Sequence, residues 1–154
     1  MVTFLGIIIS GLLAYIAYQN YKISKAAFYI QRDKLRLDLF DRRYKVFRAL
    51  QEVLTPFLAK ANFTRNELFK FSNDSSDVGF LFGPDIENYI NEMNQKILKL
   101  IHLNERLENQ PAGTEERTEI TQEMADLEIW FMDQIQNSKK IFRKYLHFSI
   151  DKNP

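Results

Sequence analysis

The sequence predicts an all-α protein: an antiparallel helical bundle of three long helices and one short helix, whose first helix extends from an N-terminal transmembrane helix. Three observations predict this fold. Glycine and proline are scarce, at 5 and 4 of 154 residues, which favours long helices over a turn-rich β fold. Apolar residues recur at helical spacing in three long segments. The opening residues 2–18 carry no charge.

The uncharged opening segment predicts a membrane anchor. As a helix, about 17 residues span roughly 25 Å, which is the lower limit for crossing a bilayer core. We expect Tyr15, Tyr18, Tyr21, Lys22 and Lys25 to lie at the membrane interface, where amphipathic rings and cationic side chains settle. The alternative is a cleavable signal peptide, but no Lys or Arg precedes the apolar run and no A-x-A site follows it.

The distribution of charge predicts an orientation. Residues 22–48 carry a net charge of +6 and the remainder carries −5, so the positive-inside rule places the N-terminus outside and the domain in the cytoplasm. This basic collar has three interpretations: setting topology and forming salt bridges within the bundle, binding anionic lipid headgroups, or binding nucleic acid. The third is disfavoured, because Phe40, Tyr44 and Phe47 lie on the apolar seam rather than among the charges.

Two apolar patterns in the first helix predict contacts between helices. Gly6, Ser10 and Ala14 repeat every four residues, a small-residue stripe that lets two membrane helices approach closely. A heptad seam follows, in which Asp33 and Gln51 are the polar exceptions. Its apolar members are Ile23, Ala26, Ile30, Leu37, Phe40, Tyr44, Phe47, Leu54 and Leu58. A second apolar line joins it, consisting of Leu39, Val46, Leu50, Val53 and Phe57. We expect Ile23, Ile30 and Leu37 to mediate helix association, and the distal part to form a bundle core.

Turn and capping signals divide the remainder of the chain. We expect the first helix to continue to about Ala61, a short helix to begin at the capping box of Thr64 and end near Ser72, and a long helix to run from Pro84 to about Glu108. The last helix is predicted over residues 115–148. The predicted organisation is a transmembrane anchor (1–21), a basic juxtamembrane helix (22–36), a cytoplasmic helical bundle (37–150) and a tail (151–154). The direction in which the last helix runs is left open, because the short helix can reverse the simple order.

The sequence predicts no catalytic, cofactor-binding or metal site, and no small-molecule substrate. There is no cysteine, and His102 and His147 lie outside any metal-ligand spacing. The Gly79–Gly83 segment lacks the Gly-Lys-Ser/Thr of a phosphate-binding loop. An enzymatic activity would have to come from carboxylates alone. Phe80, Leu81 and Phe82 form either a hydrophobic lid on the bundle or, if exposed, a partner-docking patch.

The stretch K-L-R-L-D-L-F-D-R-R-Y-K-V-F at residues 34–47, the F-L-F-G at residues 80–83 and the Trp-Phe pair at Trp130 resemble a family of small uncharacterised bacterial membrane-anchored helical proteins. That family combines an N-terminal membrane segment with a K-L-x-L-D-L-F-[DE]-x-R motif, and the likeness covers most of the chain. The resemblance implies a bacterial inner (plasma) membrane location. It implies no established activity, cofactor or catalytic residue.

These observations support two hypotheses of function. The first is a non-enzymatic, membrane-anchored helical interaction module at the inner membrane, which self-associates or docks a protein partner and has the lipid bilayer as its other partner. The alternative is a regulatory or effector subunit of a bacterial stress or phage-defence membrane system. Neither requires nucleic acid.

Overall fold

The computed structural model describes residues 2–147, except for the side chains of Val2, Thr3 and Leu5. Its elements are α1 (Val2–Lys60), α2 (Arg65–Asp74), α3 (Val78–Leu81), α4 (Pro84–Glu108) and α5 (Glu115–Phe142). No strand occurs within the described range, so the predicted all-α class is confirmed. The chain divides into two compact units, Met1–Leu39 and Phe40–Pro154. The predicted tail at 151–154 and the last predicted residue of the final helix lie outside the described residues.

The first chain reversal follows the predicted signals closely. The helix α1 ends at Lys60, and Ala61 adopts a left-handed conformation with φ of 50°, as residues that terminate helices commonly do. The capping box at α2 is present: the Thr64 hydroxyl accepts from the Glu67 N–H at 3.2 Å, and the Glu67 carboxylate accepts from the Thr64 N–H at 2.8 Å. Two backbone donors that the helix leaves unpaired are thereby satisfied.

The connector between α2 and α4 is more helical than the sequence predicts. The helix α2 continues to Asp74, two residues beyond the expected end, and the four residues of α3 occupy the apolar connector. Pro84 lies in the first turn of α4, with Gly83 as the N-cap. This agrees with the expectation that proline is tolerated where the helix has no N–H partner to lose.

Three contacts fix the direction of α5 within the second unit. Phe47 contacts Phe142 with ring centroids 5.4 Å apart, and Phe57 contacts Phe131 at 5.0 Å. Because the α1 residue number rises as the α5 number falls, the two helices are antiparallel. Between these two contacts, the Gln51 amide donates to the Ser138 hydroxyl at 2.9 Å.

The short helices decide the order that the sequence left open. At one end of the second unit, the Arg43 guanidinium donates to the Leu81 carbonyl at 2.9 Å. At the other end, the Asn104 amide donates to the Asn62 side-chain oxygen at 2.7 Å. The chain therefore returns through α2 and α3 before α4 begins, and α4 runs parallel to the α1 residues of this unit. The basic end of α5 consequently lies beside the start of this unit, at Arg43.

The core is built on the second apolar line of α1 more than on the heptad seam. Val46, Leu50, Val53 and Phe57 are all buried. From the seam, Leu54 is buried and Phe47 is half-buried, whereas Tyr44 and Leu58 are exposed. Buried residues of α4 complete one side: Ile86, Tyr89, Ile90, Met93, Ile97, Leu100, Ile101 and Leu103. The prediction that this part of α1 forms a bundle core is confirmed, with the buried face rotated towards the second line.

The buried polar groups all have partners. The Tyr89 hydroxyl donates to the Gln134 side-chain oxygen at 3.2 Å, and the Gln134 amide donates to the Trp130 carbonyl at 3.0 Å. Burial raises the pKa of the Tyr89 hydroxyl, which keeps it protonated as a donor. Across the described residues, no buried side-chain polar atom lacks a hydrogen bond, as a well-ordered core requires.

The predicted transmembrane anchor requires correction. Within the described part of the chain, no helix holds an apolar stretch long enough to cross a bilayer. The single-pass assignment and the inner-membrane location that depended on it are therefore wrong on this finding. The opening segment is uncharged, but Tyr15 and Tyr18 lower its mean hydropathy towards its end, and the polar Gln19 and Asn20 follow directly. Met1 and the side chains of Val2, Thr3 and Leu5 lie outside the described residues.

Replacing Phe131 tests the core. Phe131 is fully buried against Phe57 and Phe63, so Phe131→Ala leaves a cavity and should lower the free energy of unfolding by about 3–5 kcal/mol. The matched control is Phe69→Ala, because Phe69 is exposed and its removal should change stability by less than about 0.5 kcal/mol. Urea denaturation followed by circular dichroism measures both. Equal effects of the two substitutions would contradict this packing.

Candidate interaction surface

The apolar side chains described in the first unit are exposed to solvent. None of its described residues from Phe4 to Leu39 is buried. The exposed large apolar residues are Phe4, Ile7, Ile8, Ile9, Leu12, Leu13, Tyr15, Ile16, Tyr18, Tyr21, Ile23, Phe28, Ile30, Leu35, Leu37 and Leu39. Ordinary protein surfaces rarely carry contiguous apolar patches above a few hundred Å², and larger ones are typical of interaction sites.

One face of this unit carries a regular apolar line. It consists of Ile9, Ile16, Ile23, Ile30 and Leu37, spaced seven residues apart, and we call it the isoleucine line. A seven-residue repeat keeps side chains on one face of a supercoiled helix pair. The predicted association residues Ile23, Ile30 and Leu37 are thus placed together on one face, with exposed fractions of 65, 69 and 48%.

A second line lies on the opposite face. It consists of Tyr21, Phe28 and Leu35, also seven residues apart and also exposed, and we call it the opposite line. These three residues were not among those predicted to mediate helix association. The heptad spacing of its members could have revealed it.

The small-residue stripe is accessible but makes no packing contact within its unit. The Ser10 hydroxyl donates to the Gly6 carbonyl at 2.9 Å, which is a local bond within one helical turn. A Cβ built at Gly6 or Gly11 would meet no atom within 4 Å. Gly6, Ser10 and Ala14 are all exposed, and their role in helix association stays a prediction.

The residues assigned to a membrane interface are held by local contacts. With the transmembrane prediction corrected, that role is withdrawn. The Lys22 ammonium lies 5.1 Å from the centre of the Tyr18 ring, and the Gln19 amide donates to the Tyr15 hydroxyl at 2.9 Å. Tyr21 and Lys25 are exposed. These contacts each span three or four residues of one helix, where side chains face one another.

The three residues of the candidate docking patch, at the α3–α4 connector, differ in their exposure to solvent. Phe80 is 92% exposed, Leu81 is half-buried and Phe82 is only 9% exposed. The Phe82 ring packs edge-on against Phe142 at 5.4 Å and Tyr145 at 5.2 Å. Phe82 therefore serves as the predicted lid, whereas Phe80 alone is available to solvent.

A cluster around Tyr145 holds Phe82 in place. The Tyr145 hydroxyl donates to Asp85 Oδ1 at 2.7 Å and accepts from the Gly83 N–H at 3.2 Å. The Lys144 ammonium lies 2.8 Å from Asp85 Oδ2. The Arg43 guanidinium lies 5.3 Å from the centre of the Tyr145 ring. We call Arg43, Phe82, Asp85, Lys144 and Tyr145 the C-terminal clamp.

Sequence reasoning missed the clamp. The last helix was predicted to continue to residue 148, but α5 ends at Phe142 and Tyr145 lies in the turn that follows. The partners of Tyr145 are about sixty residues away, at Gly83 and Asp85. No spacing in the sequence indicates such a pairing.

The titratable residues within the described range are mostly exposed or paired with one another. No group of three or more His, Asp or Glu among them could hold a metal ion, and His102 and His147 are exposed. A cavity of about 340 Å³ lies against α1 and α2, where the lining acids face lysine and arginine. Glu52, one of the lining acids, pairs with Lys70 at 3.1 Å, and this hydrogen bond lowers the pKa of the Glu52 carboxyl. Paired surface carboxylates of this kind are stabilised as anions rather than poised to transfer protons.

No protein-family model, curated protein or solved structure matches this chain. The fold and the exposed surface therefore define its class, which is an all-helical protein with a packed bundle and an apolar helical face. The resemblance to small bacterial membrane-anchored proteins stays a prediction.

The clamp predicts a specific dependence of stability on pH. The hydrogen bond from Lys144 holds the pKa of the Asp85 carboxyl below its usual value and raises the pKa of Lys144. The stability contributed by ionised Asp85 is therefore present above the unfolded pKa of about 3.9 and lost as the pH falls through the lower folded value. The contribution of Lys144 is present below about pH 10.4 and lost as the pH rises through the higher folded value.

Asp85→Asn should accordingly lower the free energy of unfolding at neutral pH. The difference from the parent chain should shrink at pH values below about 4 and again above about 10.4. Denaturant titrations across this range measure it. Asp133→Asn is the control, since Asp133 is exposed with no ion pair within the described chain. A difference between parent and Asp85→Asn that is independent of pH would contradict the role of the carboxylate.

Proposed function

We propose that this chain is a non-enzymatic helical interaction module that self-associates through the isoleucine line of its first unit. One observation carries the proposal: five large aliphatic side chains recur every seven residues on one helical face, and the four isoleucines among them are exposed by half or more. A long helix without tertiary packing on its apolar face is marginally stable. Pairing with a second copy supplies that packing.

The energetics favour a reversible association. Burying the exposed part of each aliphatic side chain contributes about 1 kcal/mol, so two copies of the isoleucine line contribute about 10 kcal/mol. Association costs at least about 4 kcal/mol in lost translational and rotational freedom. The remainder of at most about 6 kcal/mol corresponds to a dissociation constant between about 40 μM and 1 mM.

The residues that flank each line favour the isoleucine line over the opposite line. Ala26 and Ala27 lie beside Ile23 and Ile30 on the helix surface, and their small side chains allow close approach of a second helix. Beside Phe28 on the opposite line lie the charged Lys25 and Arg32. Charged neighbours suit the solvated face of a helix pair, whereas small apolar neighbours widen the buried seam.

The non-enzymatic part of the proposal has separate support. The acidic residues for which pairing is described lie at the surface with basic partners: Glu52 with Lys70, Glu105 with Arg65, and Glu116 with Arg106. Exposed ion pairs of this kind contribute modestly to stability. A carboxylate-based enzyme would need at least one acid in an apolar environment to raise its pKa.

Leucine-to-aspartate substitutions at two neighbouring positions test the self-association. Leu37 belongs to the isoleucine line and Leu35 to the opposite line, and their exposed fractions are 48 and 63%. Leu37→Asp places a charge in the buried seam and should weaken self-association at least tenfold, or by about 1.4 kcal/mol. Leu35→Asp should leave it unchanged within about twofold. Sedimentation velocity on the purified full-length chain over a range of concentrations measures both.

Three outcomes would overturn this proposal. The parent chain could remain monomeric at every accessible concentration. Leu35→Asp could weaken association more than Leu37→Asp, which would assign the interface to the opposite line. The chain could also bind phosphatidylcholine vesicles as a monomer, which would give the apolar face a different partner.

A further inference from the structure

We infer that the two copies pair in parallel and in register, and that Asp33 and Lys34 determine this geometry. The inference rests on the proposed self-association and specifies its partner surface. Its starting observation is a polar residue on an otherwise apolar seam. With Ile23, Ile30 and Leu37 at the first (a) position of each heptad, Asp33 occupies a fourth (d) position, where an apolar residue normally stands.

Asp33 and Lys34 have complementary positions for contact between copies. In a parallel pair, a side chain at d packs beside the d and e residues of the facing helix. Lys34 occupies e. Each Asp33 carboxylate would therefore lie between the Asp33 and Lys34 of the second copy, and the layer of four side chains would carry no net charge.

The contacts within one chain leave both residues available for this layer. Asp33 accepts from the neighbouring Arg32 at 3.3 Å, and its side chain remains 55% exposed. Lys34 is exposed and makes no ion pair among the described residues. An exposed neighbour pair such as Arg32 with Asp33 is weak, so it does not prevent Asp33 from pairing across an interface.

In an antiparallel pair, Asp33 would face apolar residues of the second copy. In that arrangement a positions face d positions, so any register that covers the isoleucines places Asp33 opposite Ile16, Ile23 or Ile30 of the second copy. A carboxylate would then be desolvated in an apolar layer without a cation facing it. The isoleucines also favour the parallel arrangement, because β-branched residues at the first heptad position (a) are typical of parallel two-stranded pairs.

A charge-swap cycle tests the pairing. Asp33→Lys and Lys34→Asp each leave the layer with four like charges, so each should weaken self-association at least tenfold. The double variant Asp33→Lys/Lys34→Asp restores the opposite charges and should return the dissociation constant to within about threefold of the parent. The control is Asp38→Lys, which changes the net charge as Asp33→Lys does but lies at an exposed position off the seam. Its effect should be less than about threefold.

A cysteine variant tests the orientation. The parent chain has no cysteine, so Ala26→Cys introduces a single thiol at the d position one heptad before Asp33. A parallel, in-register pair brings the two thiols together, and mild oxidation should yield a covalent dimer on non-reducing gels. Ser24→Cys, at an exposed position off the seam, should yield little.

The two tests separate this inference from the proposed function. A parent chain that stays monomeric overturns both. A parent chain that dimerises while Ala26→Cys fails to cross-link overturns the parallel, in-register geometry alone. If the double variant self-associates as weakly as the single variants, the proposed contact between Asp33 and Lys34 is wrong.

Discussion

The second unit depends on an aromatic cluster that joins segments distant in the sequence. Phe57 of α1, Phe63 of the following turn and Phe131 of α5 pack with ring centroids 4.6 to 5.0 Å apart. Large aromatic rings bury more apolar surface than any other side chain and pack in defined geometries. The cluster therefore fixes where α1 ends and where α5 crosses it. The Gln51–Ser138 hydrogen bond and the contact between Phe47 and Phe142 follow from the same antiparallel alignment.

The helix α1 is partly buried in the second unit and exposed in the first. From Phe40 onwards α1 buries one face in its own unit, with Val46, Leu50 and Phe57 inside. In the first unit the apolar side chains are comparably numerous, yet no described residue there is buried. Apolar surface contributes to stability only when it is removed from water, so the exposed apolar side chains of this unit add little to the stability of a single copy.

The opening segment lacks charge but is not uniformly apolar. Three tyrosines, two amides and two glycines interrupt the aliphatic run between Gly6 and Tyr21, and each lowers the free energy gained on entering hydrocarbon. The exposed isoleucines that suggested burial in lipid are also the residues that a seven-residue repeat aligns for helix pairing. The spacing of the apolar residues therefore carries information that their number does not.

The sequence by itself determined the helical class, the capping box at Thr64 and the start of α4 at Pro84, because each depends on residues within one or two turns of helix. Only the tertiary structure decided that α4 runs parallel to α1, that Phe82 is buried while Phe80 is exposed, and that Tyr145 reaches Gly83 and Asp85. These features depend on contacts between residues far apart in the chain, whose energies become available only when the helices pack together. Local periodicity records which face of a helix is apolar, but not what covers it.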